Sequence, residues 1–81
     1  MRQLTNALRE FCEIISKAPL HHELVWLGRV GWGELCPEPR CWVFQHPEYK
    51  GVTIKWYFLG EERHHVVALS GSETEFKVVE K

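Results

Sequence analysis

The sequence lacks an excess of charge of either sign. Ten Lys and Arg residues stand against eleven Asp and Glu residues, which gives a formal net charge of −1 at pH 7. Proteins that bind nucleic acids usually carry a basic excess, because their phosphate contacts depend on Lys and Arg. The balance therefore counts against that class, although it leaves room for a local basic patch.

Long apolar runs are missing as well. The opening residues, MRQLTNALREF, contain no continuous apolar core of the kind that a signal peptide needs, and no later run approaches membrane-spanning length. The chain has three cysteines, an odd number that cannot be fully paired within one molecule. These features predict a reduced, cytoplasmic protein that does not cross a membrane.

The apolar residues that are present suffice for a core. The chain has 81 residues, of which 44% are hydrophobic and four are Trp. This length corresponds to one domain, residues 1–81, near the small end of what folds without help. The hydrophobic fraction counts against an intrinsically disordered chain.

One segment, residues 3–18, has a strong helical pattern. Leu4, Leu8, Phe11 and Ile15 recur three or four residues apart and so line one face of a helix. Pro19 predicts that the helix ends just before it, because the residue preceding a proline disfavours the helical conformation.

Strand patterns dominate the rest of the chain. Residues 51–69, GVTIKWYFLGEERHHVVAL, form two alternating runs with a short polar break between them, which predicts an antiparallel hairpin. Further strands are predicted at 24–27, 40–45 and 74–79, with bends or bulges in the glycine-rich segment between the first two. The predicted fold is α+β, with an N-terminal amphipathic helix packed on a four- to five-stranded antiparallel β-meander.

The predicted sheet has more apolar residues than a single helix can cover. We expect Trp56 and Phe58 to be buried against the helix stripe. The opposite face would then present an apolar patch to solvent, broken by a few polar residues, and such a patch usually marks an interaction surface. A second copy could cover this patch, or the sheet could close into a barrel. The candidate partner-binding residues on it are Val43, Lys55, Tyr57 and Leu59.

Histidines and cysteines invite a metal-site interpretation, which their spacing does not favour. Cys36 and Cys41 are separated by four residues, two of them proline, and no second ligand pair follows at the spacing of a zinc finger. Neighbouring histidines such as His64 and His65 point to opposite faces of a strand. We therefore expect no bound metal; a site built from Cys36, Cys41, His46 and one distant histidine is the alternative.

No motif indicates catalysis. A nucleophile or base needs a partner that activates it, and no local signature supplies one. Residues 61–63 are more typical of an exposed turn. We expect no catalytic residue and no cofactor.

The predicted function is that of a small non-enzymatic interaction protein, acting through a protein partner or as a homodimer. The alternative is a nucleic-acid-binding or nucleic-acid-processing module that uses aromatic and basic residues of the sheet. Its rings would come from Trp26, Trp32, Trp42, Tyr49, Trp56 and Tyr57, and its charges from Arg29, Arg40, Lys50, Lys55 and Arg63.

Overall fold

The computed structural model of the protein describes residues 3–35, 38–58 and 62–81. Two helices precede a series of strands in these segments. The elements are α1 (Gln3–Lys17), α2 (Glu23–Arg29), β1 (Gly33–Glu34), β2 (Cys41–Gln45), β3 (Thr53–Phe58), β4 (Arg63–Ser70) and β5 (Glu73–Glu80).

The strands form one open antiparallel sheet in the order β1-β2-β3-β4-β5. Each strand pairs with the next one in the sequence, since the connections between them are short. The described strands leave β1 and β5 as the two edges, so they do not close into a barrel. The predicted α+β fold, an N-terminal helix on an antiparallel meander, is confirmed.

The prediction of a strand at 24–27 is wrong. These residues belong to α2, whose buried side chains are Glu23 and Leu27, four residues apart as one face of a helix requires. Glu23 lies in the first turn and Arg29 in the last, where their charges suit the helix dipole. A run of four apolar residues fits a strand or a buried helical turn equally well, and periodicity cannot separate the two.

The core lies between the helices and one face of the sheet, which we call the inner face. Phe11 of α1 is its centre: the Phe11 ring lies 5.1 to 6.0 Å, centroid to centroid, from the rings of Trp32, Phe44 and Trp56. Phe11 is fully buried and Trp56 is 1% exposed. The predicted burial of Trp56 against the helix stripe is confirmed.

The predicted burial of Phe58 is wrong. Alternation does place Phe58 on the same face as Trp56, and their ring centroids are 4.8 Å apart. Phe58 is nevertheless 48% exposed, because it ends β3 beside an open cavity that Leu20 and His21 also line. Periodicity determines which face a side chain occupies and not how far the covering helices extend.

Two predicted features fall partly or wholly outside the described residues. The turn between β3 and β4 includes Leu59, Gly60 and Glu61, and the loop before β2 includes Cys36. None of the described helices is long and apolar enough to cross a membrane.

Candidate interaction surface

The face of the sheet that points away from α1 is the candidate interaction surface, and we call it the outer face. Strand register places two rows of side chains across it. One row crosses from β2 to β5 through Cys41, Tyr57, His65 and Val78. The neighbouring row crosses the same strands through Val43, Lys55, Val67 and Phe76.

Exposure of the outer face increases from β2 towards β5. Cys41 and Val43 on β2 are buried, and Val43 keeps only 6% of its surface. Tyr57 and Val67 in the middle of the sheet are partly exposed. Phe76 on β5 is 67% exposed, the highest value among the large hydrophobic side chains described as exposed. The accessible part of the outer face therefore lies on β3, β4 and β5.

Three rings on three adjacent strands form what we call the aromatic row: Tyr57 and His65, which are directly opposite each other, and Phe76, which lies diagonally from His65 in the neighbouring cross-strand row. The ring centroids of Tyr57 and His65 are 6.3 Å apart, and those of His65 and Phe76 are 5.2 Å apart in an edge-to-face arrangement. Edge-to-face pairs at these separations stabilise each other. The aromatic row is thus a preorganised strip of rings that runs across the sheet.

A polar cluster borders the aromatic row at the β2 end. The Lys55 ammonium lies 3.1 Å from Oε1 of Glu38, and the same oxygen is 3.8 Å from Sγ of Cys41. The hydrogen bond that Lys55 donates to Glu38 raises the pKa of Lys55, and burial raises the pKa of Tyr57 above its ordinary value. At neutral pH this edge therefore presents a protonated lysine already paired with Glu38 and an uncharged tyrosine.

The predicted binding residues are only partly brought together. Lys55 and Tyr57 are accessible neighbours on the outer face, whereas Val43 lies on that face but is buried, and Leu59 lies outside the described residues. Sequence reasoning did not name His65 and Phe76. The register between β3 and β4 places His65 directly opposite Tyr57, and the ring contact between His65 and Phe76 extends the row to β5. Alternation within one strand shows neither neighbour.

His46, a candidate metal ligand, has both ring nitrogens engaged within the protein. Nε2 lies 2.8 Å from the carbonyl oxygen of Val30, and Nδ1 accepts a hydrogen bond from the main-chain N–H of Glu48. Gly31 has φ of +101°, and a Cβ there would come within 2.9 Å of His46 Nε2. His46 therefore fastens the turn after α2 to the end of β2. The described residues contain no group of three or more His, Cys, Asp or Glu side chains placed to hold a metal ion.

A second polar cluster is buried on the inner face. The Lys81 ammonium donates to Oε2 of Glu23 at 2.6 Å and to the carbonyl oxygen of Ala18 at 2.8 Å. Burial would raise the pKa of Glu23, but the hydrogen bonds and the charge of Lys81 outweigh it and lower the pKa. The nearby His64 is only 2% exposed, and burial lowers its pKa, so the imidazole is neutral at pH 7. This cluster joins the α1–α2 connection to the end of the sheet.

Comparison with protein-family models, curated proteins and solved structures finds no match to the chain. Its function must therefore be argued from its own residues.

Proposed function

We propose that this chain is a small non-enzymatic interaction protein that binds another protein chain, a partner or a second copy, through the outer face of its sheet. The observation that carries the proposal is the aromatic row. Aromatic side chains combine a large apolar area with few rotatable bonds, and they are enriched at the centres of protein interfaces. Phe76 alone leaves two thirds of its surface exposed in a domain of this size.

The polar border of the aromatic row suits a protein partner. Interfaces commonly surround an apolar centre with a polar rim that solvent still reaches. Lys55 and Glu38 would form such a rim, because their side chains are partly exposed and their opposite charges neutralise each other. A rim of this kind contributes more to specificity than to affinity.

The alternative, a nucleic-acid-binding module, draws less support from the same side chains. Trp32 and Trp56 are buried in the core, and Trp42 and Tyr49 pack against it, so these rings are not free to stack on bases. Tyr57 is the one ring of the six proposed for base stacking that lies on the outer face. Lys55, the adjoining cation, is paired with Glu38 and so is a poor phosphate ligand.

The proposal can be tested by introducing a negative charge on the outer face and, as a control, on α2. Tyr57→Glu should abolish co-purification of a specific protein or self-association measured by sedimentation, because it would bury a carboxylate at the contact. Val25→Glu is the matched control, since Val25 on α2 is 50% exposed and lies away from the outer face. It should leave both readouts unchanged.

Other results would point elsewhere. Salt-dependent binding to an oligonucleotide, weakened by Lys55→Gln, would support the nucleic-acid alternative and contradict the proposal. Loss of association in Val25→Glu but not in Tyr57→Glu would move the binding surface to α2. Both variants must retain the unfolding transition of the original protein for either comparison to count.

A further inference from the structure

A cavity opens on the inner face of the sheet, where the connection between α1 and α2 meets the end of β3. It has a volume of about 210 Å³, and the described residues that line it are Leu20, His21, Glu23, Phe58 and His64. Leu20 and His21 belong to a turn in which the N–H of His22 donates to the carbonyl oxygen of Pro19 at 2.9 Å. The lining therefore joins two apolar side chains to three polar ones.

His64 brings an unused hydrogen-bond donor to this cavity. Its Nδ1 accepts the indole N–H of Trp56, so the neutral imidazole carries its proton on Nε2. Nε2 is buried and has no hydrogen-bond partner among the described residues, and His64 as a whole is 2% exposed. The two nitrogens of an imidazole point in nearly opposite directions, so this N–H is directed away from Trp56. An acceptor that reached Nε2 would satisfy a donor for which the described part of the chain supplies no partner.

Glu23 provides an acceptor on the same lining. Its side chain is buried, and its charge interacts with the imidazole of His64. Oε2 accepts a hydrogen bond from the Lys81 ammonium, and a carboxylate has lone pairs for further donors. Because Lys81 compensates the charge of Glu23, the polar end of the cavity suits a neutral ligand. A hydroxyl group meets both requirements, since it accepts one hydrogen bond and donates another.

The apolar end of the cavity suits a ring. Leu20 is 57% exposed and Phe58 is 48% exposed, so both leave apolar surface that a ligand can cover. The Phe58 ring lies 5.5 Å from that of His64, centroid to centroid, which brings the apolar wall next to the polar end. A cavity of roughly 150 Å³ holds one benzene molecule. The space of about 210 Å³ therefore accommodates a single six-membered ring with a small substituent.

The larger groove beside β1 has no comparable donor. Its volume is about 530 Å³, and its lining includes His46. Both ring nitrogens of His46 are already bonded within the protein, to the main chain at Val30 and Glu48. The smaller cavity is therefore the better candidate for a ligand site.

We propose that the cavity binds a small neutral phenol, whose oxygen accepts a hydrogen bond from Nε2 of His64 and whose O–H donates to Glu23. The aromatic ring of the ligand lies against Leu20 and Phe58. A phenol suits the site better than an aliphatic alcohol does, because its ring can pack on that of Phe58 and its O–H is the stronger donor to a carboxylate. This site goes beyond the proposed function, since it lies on the inner face and association through the outer face does not require it.

The first test compares phenol with toluene, which has nearly the same size and no hydroxyl. In a titration followed by NMR of the imidazole and indole N–H groups, phenol should shift the signals of His64 and Trp56 to saturation. Toluene should bind roughly tenfold more weakly or worse, because it leaves the donor and the acceptor unpaired. Benzoate should not bind, since its charge would lie beside that of Glu23.

Two results of this titration would overturn the proposal. Equal affinities for phenol and toluene would show an apolar pocket without the assigned hydrogen bonds. No saturable shift up to the solubility limit of phenol would show that the cavity holds solvent alone. Both comparisons use the original protein, so neither depends on whether a variant folds.

The second test obstructs the cavity from its exposed rim. Leu20→Trp should fill part of the space and weaken phenol binding roughly tenfold or more, while the unfolding transition stays near that of the original protein because Leu20 is exposed. Leu24→Trp is the matched control: Leu24 is also exposed, at 40%, and is not part of the described lining. Undiminished phenol binding in Leu20→Trp would place the ligand elsewhere and refute the assignment.

The site and the proposed function can fail separately. Tyr57→Glu alters the outer face, so it should abolish association and leave phenol binding unchanged. Phenol binding that was lost in Tyr57→Glu but retained in Leu20→Trp would move the ligand to the outer face and overturn the inference. Association that was lost in Tyr57→Glu, with no phenol binding to the original protein, would support the proposed function and reject the cavity as a phenol site.

Discussion

The indole N–H of Trp56 donates a hydrogen bond to Nδ1 of His64 across 3.1 Å. The two residues lie on the adjacent strands β3 and β4 and are both buried on the inner face. Because Nδ1 accepts this bond, the neutral imidazole carries its proton on Nε2. The pair connects the largest buried side chain of the core with the buried polar cluster of Glu23 and Lys81.

Replacing Trp56 by Ala should cost about 3–5 kcal/mol of stability, the usual range for a large buried aromatic side chain. The loss combines an apolar cavity beside Phe11 with an unpaired acceptor on His64. Phe58→Ala is the matched comparison, since Phe58 lies on the same strand and face but is half exposed; it should cost about 1 kcal/mol. Urea denaturation of both variants measures the difference, and equal losses would contradict the described core.

The stability of the protein should fall as the pH is lowered through the range just below 6.5. Burial lowers the pKa of His64 from 6.5 in the folded state, so between the two pKa values the unfolded chain binds a proton that the folded chain does not. The contribution of His64 is therefore complete above pH 6.5 and is lost on acidification towards the folded-state pKa. His64→Gln, which retains an acceptor for Trp56, should lose less stability between pH 7.5 and pH 5.5 than the original protein. The control variant His22→Gln, at an exposed position, should lose as much stability over this pH range as the original protein. If His64→Gln also lost as much stability as the original protein, the pH dependence would come from other groups.

Removing one partner of a buried ion pair usually costs about 3–5 kcal/mol of stability, and this range is the upper limit for the pair of Glu23 and Lys81. The side chains keep 8% and 12% of their surface, so water reaches them slightly and the lower part of the range applies. Lys81→Met should therefore be more harmful than Glu23→Gln with Lys81→Met together, because the single variant leaves a buried carboxylate without its cation. Thermal or urea unfolding distinguishes the two; a harmless Lys81→Met would show that the pair contributes little.

Two valines on the outer face test where its accessible part begins. Val43→Ala should cost about 1–3 kcal/mol, because Val43 is buried although it faces away from α1. Val67→Ala, in the same cross-strand row but partly exposed, should cost clearly less. Denaturation midpoints give both values. If Val67→Ala proved the more damaging, the gradient of exposure from β2 to β5 would be reversed.

Much of the architecture could be predicted from local patterns. The stripe through Leu4, Leu8, Phe11 and Ile15 predicts a helix because a period of 3.6 residues leaves few other ways to bury those side chains. The alternation around Trp56 predicts a strand for the corresponding reason, with a period of two. Short polar breaks between successive strands then predict that neighbours pair in order.

The candidate interaction surface could not be predicted from local patterns alone. Periodicity placed Val43 and Tyr57 on the same face, but it could not show that Val43 is covered and Tyr57 is not. It also could not place Phe76 beside His65, because residues on different strands become neighbours only through register. Register depends on where each turn ends, which the alternation within a single strand does not record.

The sequence by itself determined the N-terminal helix, the alternation of side chains along β2 to β5 and the burial of Trp56, because these follow from local periods and from hydrophobic area. The tertiary structure alone decided that residues 24–27 form part of a helix, that Phe58 is half exposed, and that the rings of Tyr57, His65 and Phe76 lie side by side on three adjacent strands. The physical reason is that these outcomes depend on contacts between residues distant in the chain, where packing of the whole molecule overrides local preference.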